Sequence, residues 1–309
     1  MTPSPFATVD ETERQRALDA LHIVGSLPEP AYDDIVKVAA AVCGTPMALV
    51  TLIDRDRQWF KARTGLEGIQ TERNVAVCDH AIRQPTQLME VGDLSQDARF
   101  ADNPVLKDIG ARFYAGMPLV TESGAAVGSV CVVDLNPREL NPTQREALQA
   151  LARLTMNLME GRSREREQQV AAILDHGIAE EAAIAPDAAG AYTVVILELQ
   201  NLSELAQRLG ERTLERQLQQ LDQALEQCLD TARGDSINRV TGSGEFIAVL
   251  GSSEPSDTLA RFDQVARNLQ ENAGATLLRG AASTTTAESN TAVFLRADQA
   301  LSAAKDALR

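Results

Sequence analysis

The sequence predicts an α+β protein built of two units joined by a long helix, and three observations carry that expectation. Residues 10–43 place apolar side chains at helical spacing, and residues 47–134 then change to apolar runs of strand length. Residues 142–180 return to apolar steps of three and four. Residues 192–308 alternate patterns in the order β-α-β-β-α-β-α, which suggests a ferredoxin-like core.

Within 10–24, Leu18, Leu21 and Val24 mark the inner face of a first helix, and SLPEPAY breaks it. Residues 31–43 resume with Ile35, Val36, Ala39, Ala40 and Val42 facing inward. MALVTLI (47–53) reads as a strand, Asp54–Asp56 as a turn and RQWFKAR as the return strand. Residues 79–84 suit a short helix, LMEVGD another strand, and 95–111 a loop. Residues 113–121 and 125–134 form a strand pair around Glu122-Ser123-Gly124. Asn141-Pro142-Thr143 starts the long helix, with proline near its first position. Its stripe runs through Leu148, Leu151, Leu154 and Leu158, then Val170, Ile173 and Leu174, with the polar GRSREREQQ between. This pattern suits a connecting helix or a helix pair in a dimer. PDAAGA (186–191) marks a joint. Beyond it, YTVVILEL (192–199) is a strand, 202–230 one long amphipathic helix, and SINRVT and EFIAVL a hairpin around Gly242-Ser243-Gly244. Residues 256–272 are a helix, ATLLRGAAS a strand and 292–308 a last helix.

A chain of 309 residues suits two domains, and 44% hydrophobic with 24% charged residues is ordinary globular composition. No stretch approaches the roughly 18 apolar residues of a membrane span. MTPSPFATVDETERQR lacks the basic flank and apolar core of a secretory signal, so the cytoplasm is the expected compartment. A formal charge of −15 disfavours nucleic acid and anionic lipid as partners. The four cysteines, Cys43, Cys78, Cys131 and Cys228, form no C-x-x-C pair.

Residues 11–160 resemble the bacterial GAF family. The resemblance rests on six blocks in order: PEPAYDDI, CGTPMALVTLIDRDRQWFKARTGL, CDHAI, DLSQDARFADNPVL, RFYAGMPL and GAAVGSVCVVDLNPREL. It implies a sensor fold, with a sheet backed by helices on one side, loops on the other and a ligand pocket between sheet and loops. The family's ligands vary, so the fold does not name one. Candidate pocket residues are Cys78, His80, Asp93, Arg112, Phe113, Tyr114 and Cys131. Cys78, His80 and Cys131 are of the types that ligate haem, iron or zinc, and Cys78 is of the type that senses redox state. The alternative is that the cysteines are small buried apolar groups. Trp59, Phe60, Phe113 and Tyr114 either stack on a ligand or pack the sheet. Arg112 either clamps a carboxylate or phosphate, or pairs with Asp93 or Asp97.

Residues 192–309 resemble the GGDEF domain of diguanylate cyclases, through VILELQNLSELAQRLGERTLE, RGDSINRVTGSGEFIAVL and RADQALSAAKDAL. The resemblance implies a shortened nucleotidyl-cyclase-like fold. Active members make cyclic di-GMP from GTP with metal ions held by carboxylates. Here the signature loop reads Gly242, Ser243, Gly244, Glu245, Phe246, with Gly244 at the acid position. By the same resemblance Glu198 matches a metal carboxylate, Ala206 the guanine-reading Asn, Glu215 a guanine-reading Asp, and Lys305 a phosphate-contacting lysine. The inhibitory R-x-x-D site is broken whether Arg233 is matched with Ser236 or Ala232 with Asp235.

The expected organisation is therefore a GAF sensor at 11–160, a connecting signalling helix at 142–185 that overlaps its last helix, and a degenerate GGDEF domain at 190–309. The expected function is non-catalytic signal transduction. A small molecule or redox state acts on the GAF pocket, and the helix carries the signal to a GGDEF domain that docks a protein partner in cyclic di-GMP signalling. A homodimer is expected, with no catalytic residues, no resident cofactor or metal, and neither nucleic acid nor membrane as a partner. The alternatives are an active diguanylate cyclase and a GAF-type methionine sulfoxide reductase using Cys78 and Cys131.

Overall fold

The computed structural model describes residues 10–184, 191–252, 254–284 and 288–308. The chain divides between Ser163 and Arg164 into two compact units.

In the first unit, helices α1 (Glu11–Asp19) and α2 (Pro30–Cys43) precede strands β1 (Met47–Ile53), β2 (Arg57–Thr64) and β3 (Gln70–Glu72). Helix α3 (Val77–Ala81), strand β4 (Met89–Val91) and helix α4 (Pro104–Asp108) follow, then β5 (Phe113–Val120) and β6 (Ala126–Asp134). The sheet is antiparallel with order β3-β2-β1-β6-β5-β4. Its two faces bury different cores, because successive strand side chains point to opposite sides. Trp59 and Phe113 lie on the face that packs Leu18, Ile35, Val36, Leu148 and Met156. Phe60, Tyr114 and Cys131 lie on the other, with Cys78, Leu94, Phe100 and Leu106 from α3 and the loops. β1 and β6 run so close at Gly128 that a side chain there would collide with the Thr51 carbonyl.

Helix α5 (Pro142–Ile184) runs from the first unit into the second. The expected joint at 186–191 lies, except for Ala191, outside the described residues, as does residue 185 of the expected connecting helix.

The second unit contains β7 (Thr193–Leu199), α6 (Leu202–Leu209), α7 (Glu211–Glu226), β8 (Ser236–Arg239) and β9 (Glu245–Leu250). It ends with α8 (Ser256–Ala273), β10 (Leu277–Ser283) and α9 (Asn290–Ala307). The sheet order β10-β7-β9-β8, antiparallel throughout, is the ferredoxin-like order that the pattern predicts. Val194, Ile196, Ile247, Val249, Val293 and Leu301 form its core, and Val170 and Leu174 of α5 belong to that core too.

Three expectations are corrected. The single helix over 202–230 is two helices, because Gly210 adopts φ 78° and ψ 148°, a conformation reserved for glycine. The loop 95–111 contains α4, whose start is made by Asn103: its side chain accepts hydrogen bonds from the Val105 and Leu106 amides, with Pro104 in the first turn. The first helix ends at Asp19, not at 24.

Candidate functional site

The face of the first sheet that meets α3 holds a buried polar cluster inside an apolar shell. Cys78 Sγ and Cys131 Sγ lie 3.8 Å apart. The Tyr114 hydroxyl donates to Cys78 Sγ at 3.2 Å, and Thr51 Oγ1 and Ser129 Oγ are 3.2 Å from each other. Tyr114 folds over Gly116 so closely that a side chain there would strike its phenol oxygen. Burial raises the Cys78 thiol pKa, but hydrogen bonding from Cys131, Ser129, Thr51 and Tyr114 outweighs it and holds Cys78 below the ordinary thiol value. Cys131 moves the other way, through its bond to Cys78 and through burial. Tyr114 is likewise pushed up by burial and by the two sulfurs.

The other candidates of this unit are not gathered there. His80 stands edge-on to Phe100, 4.9 Å between ring centres, and burial lowers its pKa. Asp93 and Arg112 form a bidentate pair at 2.9 and 2.7 Å, so Arg112 is engaged by Asp93 rather than Asp97, which pairs with Arg99. Phe113 lies on the opposite face of the sheet, under the Arg138 guanidinium. Among the described residues, no three His, Cys, Asp or Glu side chains converge as a metal site. The structure thus brings together Cys78, Tyr114 and Cys131 but not His80, Asp93, Arg112 or Phe113.

In the second unit, the hairpin between β8 and β9 places Gly242 at φ 70°. Ser243 spends its hydroxyl inside the turn, donating to the Val240 carbonyl at 2.8 Å and accepting from the Glu245 amide at 3.1 Å. Gly244 faces Leu202 so closely that a Cβ would overlap the Leu202 methyl, with Leu199 Cβ next nearest at 3.0 Å. Glu198 and Glu245 sit opposite each other on β7 and β9. Like charges in that register repel, and each carboxylate has its own cation. Lys305 Nζ donates to Glu198 Oε2 at 2.6 Å, and Gln200 Nε2 to Glu198 Oε1 at 3.0 Å. Arg166 grips Glu245 with two guanidinium nitrogens, Nε at 2.7 Å and Nη2 on the other oxygen, the carboxylate being buried and the arginine partly so. Three residues further along α5, Gln169 Oε1 accepts from the Thr241 amide at 2.9 Å. Ala206 is buried on α6.

Glu215 accepts from Arg239 at 3.0 Å and borders a cavity of about 470 Å³ beside the hairpin. Asp222, Glu226, Asn238, Arg239 and Gly242 also line it. Burial pushes the Asp222 carboxyl up, with Arg239 opposing and Glu226 and Glu215 adding to the rise.

Comparison with known proteins matches the GAF domain model over residues 28–158 and the diguanylate cyclase GGDEF domain model over residues 171–309. The chain carries a GAF domain followed by a GGDEF domain. A relative, the cyclic di-GMP phosphodiesterase PA2567 of Pseudomonas aeruginosa, is 38% identical over 149 residues, or 48% of this chain. The chain spans 25% of that relative's length. Similar solved structures include the blue-light absorbing form of the PixJ GAF domain from Thermosynechococcus elongatus, at 14% identity and TM-score 0.39, covering 52% of this chain and 96% of that one. Another is a microbial GGDEF domain described in its interaction with cyclic di-GMP, at 25% identity and TM-score 0.38, covering 46% and 87%.

Several residues that shape the two sites carried no sequence signal. Thr51 and Ser129 of the GAF domain are uniformly buried strand positions, and only the β1–β6 register places them opposite each other. Arg166 and Gln169 fall in the polar stretch of α5, and Leu202 reads as an ordinary helix apolar residue. Their proximity to the GGDEF hairpin is a tertiary fact.

Proposed function

We propose that the chain is a cytoplasmic, non-catalytic protein of cyclic di-GMP signalling. Its GAF domain takes a small molecule or a redox state as input. Helix α5 carries the signal to a GGDEF domain that acts by docking a protein partner or a second copy of the chain. The observation that carries this reading is the filled signature site. Leu202 occupies the space beside Gly244, and the two carboxylates that remain, Glu198 and Glu245, are neutralised by Lys305 and Arg166. A divalent ion would have to displace both cations, and Gly244 offers no side-chain ligand in return. Losing one such electrostatic contact costs about 3–4 kcal/mol of transition-state stabilisation in well-studied enzymes. The neighbouring cavity adds to the difficulty: Glu215, Asp222 and Glu226 face one guanidinium, Arg239, an unfavourable balance for a triphosphate.

The test is calorimetric titration of the purified chain with GTP and with cyclic di-GMP in magnesium, with a chromatographic assay for cyclic di-GMP formed from GTP. Neither heat of binding nor product is expected. Micromolar binding of either nucleotide, or product formation, returns the domain to cyclase or receptor duty.

A further inference from the structure

We propose that Cys78 and Cys131 are a peroxide-reactive dithiol that closes to a reversible disulfide, the redox input of the GAF domain. The inference deepens the sensor reading above and rests on it for the meaning of the switch, while its chemistry stands on the geometry alone. Four features of that geometry matter. The sulfurs already lie 3.8 Å apart, so closure to an S–S bond of about 2.0 Å needs a displacement of roughly 2 Å. Tyr114 donates a hydrogen bond to Cys78 Sγ, an arrangement that favours the thiolate. The two cysteines belong to different elements, α3 and β6, so a bond between them ties a short helix to the centre of the sheet. Phe100, Leu94 and Leu106 belong to the same buried apolar cluster as the pair, so a small hydroperoxide is a better-fitting oxidant there than a bulky disulfide reagent.

The chemistry balances as follows. The Cys78 thiolate attacks the terminal oxygen of a hydroperoxide, ROOH. The O–O bond breaks, the leaving alkoxide takes a proton to become ROH, and Cys78 becomes a sulfenic acid. Cys131 sulfur then attacks Cys78 sulfur. The S–O bond breaks, and hydroxide leaves with the Cys131 proton as water. In sum two thiols lose two electrons and two protons, and the peroxide is reduced to ROH and water. A cellular dithiol reductant reverses the step by thiol–disulfide exchange.

Closure has a structural consequence. Asp79 follows Cys78 directly and is held by Arg73 at 2.8 Å and Arg83 at 2.6 Å. Arg73 also reaches Glu11 of α1 at 2.6 Å. Drawing α3 toward β6 therefore pulls on the ion pairs that connect α3 to α1.

Cys43 and Cys228 are internal controls. Both are buried, and burial raises both thiols. A difference in rate therefore reports thiol chemistry rather than exposure. The experiment treats the reduced full-length chain with hydrogen peroxide, alkylates what remains, and maps peptides by mass spectrometry without reduction. The expected result is a Cys78–Cys131 cross-link with a mass loss of two hydrogens, reversed by dithiothreitol. Cys78 is expected to be consumed about tenfold or more faster than Cys43 and Cys228. In Cys131→Ser the cross-link is lost and Cys78 is trapped as sulfenic acid by dimedone. Tyr114→Phe keeps the cross-link and slows Cys78 oxidation. Equal reactivity of Cys78 and the controls overturns the proposal, and so does wild-type oxidation of Cys78 to sulfinic acid without cross-link. Either failure removes the redox input alone, because nucleotide titration of the GGDEF domain is a separate readout.

Discussion

Gly244 is the residue at which family likeness and packing diverge most. The sequence shows a glycine where the resemblance puts an acid, but it does not show what fills the space beside that glycine. Leu202, buried at the start of α6, holds its Cδ1 where it would collide with a Gly244 Cβ. Restoring the acid as Gly244→Asp is therefore expected to overpack this corner, lowering stability by about 1–3 kcal/mol without producing cyclic di-GMP. Urea unfolding of Gly244→Asp and of Gly244→Asp/Leu202→Ala checks the cause. The second substitution, which alone would leave a cavity, is expected to cost less in the Gly244→Asp background than in the wild type. Additive losses would show that Leu202 is not what excludes a side chain there. The GAF residues teach a related lesson. Phe113 and Tyr114 are both candidate pocket aromatics by sequence, yet adjacent strand positions face opposite ways: Phe113 packs the far face and Tyr114 reaches Cys78.

At the scale of elements, α5 and the signature hairpin behave as one piece of the GGDEF domain. Arg166 and Gln169 project from one side of the helix at i and i+3, and they hold Glu245 and the Thr241 amide at the two ends of the loop. Arg166→Met would leave a buried carboxylate without its cation, at a cost of about 3–5 kcal/mol. Hydrogen exchange in residues 241–246 is then expected to accelerate while the GAF sheet keeps its protection. Arg166→Met/Glu245→Gln should recover much of the loss, since the orphaned charge is gone. An unchanged loop in the single variant would mean that the hairpin does not depend on α5. Elements with strong periodicity were legible: β1, β5, β6, β7, β9 and the long helix appear where apolar patterning places them. Breaks set by backbone conformation were harder. The amphipathic pattern of 202–230 runs straight through Gly210, and only its φ of 78° shows that the helix stops and restarts. The Asn103–Pro104 cap starts a helix of only five residues, too short for its periodicity to stand out from the loop reading of 95–111. The Arg166–Glu245 pair joins residues 79 apart in a stretch that reads as solvated, and no local rule finds such a partner.

For the molecule as a whole, the stripe on α5 that suggested a helix pair divides once the fold is known. Leu148, Leu151 and Met156 are buried in the GAF core, and Val170 and Leu174 in the GGDEF core. Leu154 and Leu158, one turn apart, are left 55% and 40% exposed. Two leucines at i and i+4 on a long helix suit pairing with the same helix of a second chain. A stable dimer buries well over about 1,000 Å² in total, so these leucines would be its centre rather than its whole extent. Each chain carries −15, so association brings like charges together, and salt should favour it as the screening length falls to about 8 Å at physiological ionic strength. Light scattering after size exclusion is expected to show a dimer that strengthens between low and physiological salt. Leu154→Glu/Leu158→Glu is expected to shift it to monomer with an unchanged circular dichroism spectrum, because neither side chain belongs to the GAF core, and to lower the melting temperature only by the dimer's share. A monomer at every salt concentration, or a dimer untouched by the double substitution, would leave α5 as a connection within one chain, and signal transfer to the GGDEF hairpin would then run through the helix's own contacts there, Arg166, Gln169, Val170 and Leu174 among them.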